Sequence, residues 1–119
     1  MNRKGHLVLG LLLFPALIGI AGLFPRINTF LLISGAGAVA AGSIFPDIIE
    51  PPTSKRHRGI FHSRRALGGV LAGLALTMTA VVNLPAPSRL PLLFACSAFF
   101  FGYATHLLAD SLTPSGLPA

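Results

Sequence analysis

Residues 90–110 read LPLLFACSAFFFGYATHLLAD, an apolar run that closes on a histidine and an aspartate. A helix needs about 20 predominantly apolar residues to cross a bilayer, and Leu90 to Ala109 supplies them. His106 and Asp110 are four positions apart, so in a helix they stand on one face, a turn from each other. Three more apolar stretches precede this one, at residues 7–24, 27–45 and 66–84. The expected fold is all-α: a polytopic membrane protein of four transmembrane helices, with residues 1–119 forming a single membrane-embedded domain. Tight turns are expected near Pro25-Arg26 and from Pro85 to Arg89, with one polar loop at residues 46–65.

Composition supports the same class. The chain is 53% hydrophobic and only 10% charged, with a mean hydropathy of +0.76, too little polar surface for a water-soluble domain of 119 residues. The net charge of +6 does not mark a nucleic-acid partner, because the basic residues flank apolar segments instead of lining a helix or an aromatic platform. Arg3, Lys4, Lys55, Arg56, Arg58, Arg64 and Arg65 fall on one side of the expected bilayer, and Arg26 and Arg89 on the other. An excess of Lys and Arg marks the cytoplasmic face, so both termini are expected there. Anionic headgroups of that leaflet add attraction for the same cluster. A cleaved signal peptide is disfavoured, since the first apolar run is too long and lacks a polar, small-residue cleavage region. The lone Cys96 excludes an intrachain disulfide. Small residues of the second span, and Gly69 and Gly73 in the third, are expected to serve bundle packing, and Pro15 to kink the first span.

This topology sends His6, Asp47, Glu50, His57, His62, His106 and Asp110 to one end of the bundle. They comprise every acidic residue and every histidine. The middles of the spans carry no ionisable group, unlike secondary transporters with their midplane sites. An isolated HxxxD pair is weak evidence, and the polar loop with FPDIIE (45–50) and HRGIFHS (57–63) alone is equally a solvated loop with positive-inside arginines. Taken together with His6, the groups favour a metal site, because ionisable residues at membrane depth are costly and usually functional. Imidazole and carboxylate donors suit Zn²⁺ first, and also Mn²⁺ or Fe²⁺. Ser63 is placed to cap the third span.

Gly5-His6, Pro46-Asp47, HRGxxHS from His57 to Ser63 and GYxxHLLxDxxTPxG from Gly102 to Gly116 occur in the order of a known pattern. In these motifs the chain resembles the YdjM-like family of bacterial inner-membrane, LexA-regulated, predicted metal-dependent hydrolases. The resemblance spans almost the whole chain and implies a multi-pass membrane protein with a divalent-metal hydrolase site and an ill-defined substrate. The family commonly has PDxDH, whereas here Ile49 replaces the second aspartate and Glu50 the histidine. Phe61 replaces the family's threonine, and family members usually continue past TPxG, where this sequence ends at Ala119. A looser likeness to the all-helical zinc-dependent phospholipase C fold is analogy only.

The sequence thus leads to a membrane-bound hydrolase that binds one or two divalent ions through His6, Asp47, His57, His62, His106 and Asp110 and uses metal-activated water. Glu50 is the expected general base, and Arg58 the expected holder of a phosphate oxygen. A site at headgroup level most easily reaches a phospholipid or lipid-linked phosphoester. The alternative is a non-catalytic scaffold whose structural metal ties helix ends together, which a closed ligand set would favour. A plain membrane anchor without metal ranks last.

Overall fold

A computed structural model of the chain describes residues 2–51, 59–83, 88–113 and 116–118. Among them are four long helices: α1 (Arg3–Ile20), α2 (Thr29–Ile49), α3 (Arg64–Asn83) and α4 (Leu90–Ser111). All four are long and apolar enough to cross a membrane. At 1.5 Å per residue their lengths run from about 27 to 33 Å, the thickness of a hydrocarbon core. The described residues contain no strand.

The helix ends follow from local chemistry. The Asn2 and Asn28 side chains accept the amides of Gly5 and Leu31, each at 2.8 Å, and so cap α1 and α2. Gly22, at φ 67°, closes α1: its N–H bonds the Gly19 carbonyl, and the Leu23 N–H reaches back to Ile18. That is the Schellman pattern, completed by the buried apolar pair Ile18 and Leu23. The expected turn at Pro25-Arg26 is a short 3-10 segment, Phe24–Arg26. Ser63 caps α3 by accepting the Ala66 amide at 3.1 Å, as its place before that span leads one to expect.

One boundary differs from the sequence reading in a way that matters. α2 runs through Pro46 to Ile49, which moves Asp47 from the polar loop into the last turn of a helix. Proline lacks an N–H and crowds the preceding turn, but a helix within a bundle tolerates it where neighbours re-satisfy the backbone. α1 likewise continues through Pro15.

α4 is the hub, packing against each of the other three helices, and its contact with α2 is the most extensive. Gly42 of α2 and Gly102 of α4 create this intimacy. A Cβ on Gly42 would strike the Phe99 carbonyl, and one on Gly102 would strike the Val39 carbonyl. Small residues at such crossings let helix backbones touch in lipid. α3 differs: Gly73 meets only the Phe100 ring, and a Cβ on Gly69 would meet nothing. Of this GxxxG pair, Gly73 thus packs within the bundle against an α4 side chain, and neither glycine brings two backbones together.

Phe14, Leu17, Leu31, Val39, Val81, Phe94 and Ala98 fill one core cluster, and Val70, Tyr103, Leu107 and Leu117 fill a second toward the end of α4. Meanwhile Leu12, Ile20, Phe30, Ile33, Leu76 and Leu92 are 64–74% exposed. Large apolar side chains displayed on all outer faces fit hydrocarbon, not water.

Candidate metal centre

His6 lies in the first turn of α1, Asp47 in the last of α2, His62 just before α3, and His106 and Asp110 in the last turns of α4. Helices that alternate in direction bring these positions to one end. All five side chains are buried, with relative exposures of 0–4%.

His106 presents Nε2 to this cluster: 3.2 Å from His62 Nε2, 3.3 Å from Asp110 Oδ2 and 3.6 Å from Asp47 Oδ1. His62 Nε2 is also 3.3 Å from Asp47 Oδ1. His6 Nε2 lies 3.2 Å from Asp110 Oδ1, and the His6 ring stacks on His106 at 3.6 Å between centroids. Two sets, His6/Asp47/His106 and His62/His106/Asp110, each place their donor atoms within 4.8 Å of one another.

The outer partners fix the tautomers. His106 Nδ1 is 2.6 Å from the Ser43 carbonyl oxygen, which can only accept, so Nδ1 carries the proton. His62 Nδ1 is 2.7 Å from Glu50 Oε2, and donation to that carboxylate puts its proton on Nδ1 as well. Each Nε2 then faces inward, toward the other ring's Nε2 and two carboxylates, where it can donate a proton to a carboxylate or offer its lone pair to a cation. A cation at the centre of these four atoms would satisfy both imidazole nitrogens and both carboxylates at once.

Donor spacing agrees with that chemistry. For a tetrahedral ion with arms of about 2.0–2.1 Å, neighbouring donors stand about 3.3–3.4 Å apart, and four separations around His62 and His106 range from 3.2 to 3.6 Å. An outer carboxylate or carbonyl on each ligating imidazole is also the usual support of a protein metal site. The residues present therefore fit a divalent ion. The two donor sets share His106.

The buried side-chain atoms without a partner among the described residues are His6 Nδ1 and Ser43 Oγ. With Nδ1 unpartnered, His6 can either offer Nε2 as a fifth donor or donate from it to Asp110.

Glu50 stands behind His62, not among the converging donors. Its Oε1 accepts the Phe61 amide at 3.1 Å, and the Phe61 carbonyl accepts the Tyr103 hydroxyl at 2.8 Å. This chain of bonds ties the segment bearing His62 to the ends of α2 and α4. Phe61 packs edge-on against Phe45, a role in packing. Ile49 is 44% exposed, outside the buried cluster. His57 and Arg58 lie outside the described residues.

Ser43 and Tyr103 were not singled out from sequence as supports of the site. Ser43 had a legible signal, standing four residues before Asp47 and so on the same helical face. Tyr103 stood in the GYxxHLLxD motif with no role attached, because it acts through a contact 42 residues away in the chain.

The Glu50–His62 bond makes a quantitative prediction. Glu50→Gln keeps the shape but removes the charge that orients the ring, and metal affinity should fall about 10–100-fold. Competition with a chelating dye on purified protein measures it.

No curated protein and no solved structure is significantly similar to this chain. A family model does match, described as YdjM inner membrane protein, and it covers residues 1–119. With four membrane-length helices and a buried His/Asp cluster that can hold a metal at one end, the chain is a multi-pass membrane protein and belongs to the YdjM inner membrane protein family.

Proposed function

We propose that this chain is a metal-dependent hydrolase of the inner membrane, acting on a phospholipid or lipid-linked phosphoester at the cytoplasmic headgroup level. The observation that carries the reading is the buried convergence of the Nε2 atoms of His62 and His106 with the carboxylates of Asp47 and Asp110. These four groups and His6 would hold the ion, with Zn²⁺ favoured and Mn²⁺ or Fe²⁺ compatible with the same donors. Such an ion supplies water acidified from a pKa of about 15.7 toward 7 and polarises a phosphoryl oxygen.

The protein's own share is positional. Ser43 and Glu50 hold the two imidazoles in the ligating tautomer, and His6 buttresses the His106 ring. Glu50 is placed to orient His62 more directly than to act as a base. His57 belongs to the proposed ligand set on sequence grounds, and Arg58 is proposed to hold a phosphate oxygen through its planar fork. Arg3, Lys4, Arg64 and Arg65, all exposed, lie at this same end, which supports a cytoplasmic site and cytoplasmic termini. A periplasm-active reporter fused to the C-terminus should accordingly stay silent, and strong activity would reverse the orientation.

One observation favours a second reading, a structural metal that staples helix ends. Five buried donors are more than a catalytic zinc usually receives. His6 decides between them: bonded to Asp110 it leaves a coordination position open, and ligated it closes the site. Protein purified in detergent without immobilised-metal chromatography should carry about one divalent ion per chain and cleave lipid phosphoesters in a chelator-sensitive manner. Stoichiometric metal without turnover on a broad lipid panel would favour the staple, and absence of metal would remove both readings.

A further inference from the structure

We propose that a groove between α1 and α4 receives one alkyl chain of the lipid whose phosphoester headgroup lies at the donor cluster. The headgroup half of this statement rests on the hydrolase reading; the tail half rests on the groove itself.

The groove encloses about 590 Å³, within the range of small-molecule sites. Its walls are Leu9 and Leu13 from α1, Leu108 and Ala109 from α4, and Leu112 just past the end of α4. Thr105 and Thr113 complete it, but their hydroxyls donate to nearby backbone, to the carbonyls of Gly102 at 2.8 Å and Asp110 at 2.7 Å. Those two hydroxyl hydrogens are therefore spent, and the lining suits a hydrocarbon.

Continuity with the metal centre separates this groove from ordinary lipid-facing surface. Leu9 and Leu13 follow His6 by three and seven positions, which places them along one stripe of α1. Thr105 and Ala109 immediately precede His106 and Asp110. From Leu9 to Leu13 the α1 wall extends about 6 Å along the helix axis, away from His6 toward the bilayer centre, the direction a tail takes from its headgroup, while Thr105 and Ala109 stand level with the donors of α4. Arg3 and Lys4, exposed in the first turn of α1, offer positive charge to an anionic headgroup at the same end. A second cleft, of about 260 Å³ between Leu17 and Ile20 of α1 and Leu71, Leu74 and Met78 of α3, is equally apolar but has no wall residue adjacent in sequence to a member of the donor cluster. It lies beside the closing turns of α1, remote from His6, and serves as an internal control.

The test uses the full chain in vesicles of phosphatidylethanolamine and phosphatidylglycerol with a trace of phosphatidylglycerol bearing a diazirine in one tail. After irradiation the labelled peptides are mapped, and metal per chain is measured on the same samples. Label should concentrate on the segments around Leu9–Leu13 and Leu108–Leu112. It should drop about tenfold in Leu108→Trp, whose indole fills the groove, and stay unchanged in Leu71→Trp, which fills the control cleft. Metal content should be the same in all three proteins. Label spread as heavily over α3, or undiminished by Leu108→Trp, overturns the proposal. Should Leu108→Trp also lose metal, Leu13→Trp, two turns from His6, decides on the same criteria. Groove labelling in wild type that carries no metal would support the tail site and remove the hydrolase reading.

Discussion

His106→Ala is expected to strip the protein of its metal while leaving the helices in the membrane. The side chain is fully buried, and every contact it makes serves the cluster: Nε2 faces His62, Asp47 and Asp110, Nδ1 bonds the Ser43 carbonyl, and the ring supports His6. Losing an outer partner of a ligand typically costs about 10–100-fold in affinity, and losing the ligand shared by both donor sets should exceed that. Metal content should therefore fall from about one ion per chain to background. The variant also removes the His106 Nδ1–H bond to the Ser43 carbonyl, worth roughly 0.5–1.5 kcal/mol, so some loss of thermal stability accompanies the loss of metal. Elemental analysis of a monodisperse detergent peak separates the two effects. Leu108→Ala, two positions away and 45% exposed, should keep its metal. Stoichiometric ion in a well-folded His106→Ala protein would show that the donors identified here are not the ligands.

Much of that prediction could be written from the sequence, because it rests on local periodicity. The HxxxD pair of α4 is a statement about 3.6 residues per turn, and the alternation of four spans brings the chain's histidines and acids to one end whatever the packing details. Asp47 was legible as a donor but not as a helical one. Pro46 reads as a stop signal, and only the surrounding bundle lets α2 continue to Ile49. Glu50 read as a base because a carboxylate beside a metal site admits several roles. Its placement behind His62 depends on where the segment Ile60–His62 folds back, which involves a bond across 12 positions. The likeness to the YdjM family had the right outline and left the same ambiguity, since Glu50 replaces a histidine there. Pairing of helices was the least legible feature. The small residues of α2, Gly42 among them, and Gly69 and Gly73 of α3 all read as packing positions, whereas the backbone-to-backbone approach falls on Gly42 and on Gly102, which carried no packing role in the sequence reading. Such pairings are non-local: they depend on which faces meet once every span is in place.

That crossing yields the second large effect. Gly102→Ala is expected to disable the metal site from a position whose own residue donates nothing to it. The added methyl would run into the Val39 carbonyl and the Ser43 amide, backbone atoms that cannot rotate away as a side chain can, so α2 and α4 must separate. Overpacking in a tight core costs roughly 1–3 kcal/mol. The larger consequence is geometric. One turn beyond Gly102 on the same face stands His106, bonded at 2.6 Å to Ser43, and one turn beyond Ser43 stands Asp47. Pushing the helices apart at Gly102 therefore lengthens the His106–Ser43 bond and parts the two donors that α2 and α4 bring together. Gly69→Ala supplies the contrast. Its Cβ meets nothing within 4 Å, and replacing a mid-helix glycine by alanine should stabilise by roughly 0.5–1 kcal/mol. One methyl group thus has opposite outcomes: at position 102 lower thermal stability and reduced metal, at position 69 unchanged metal and equal or higher stability. Measuring both variants side by side tests the packing itself, since a membrane anchor whose helices merely share a bilayer would respond to neither.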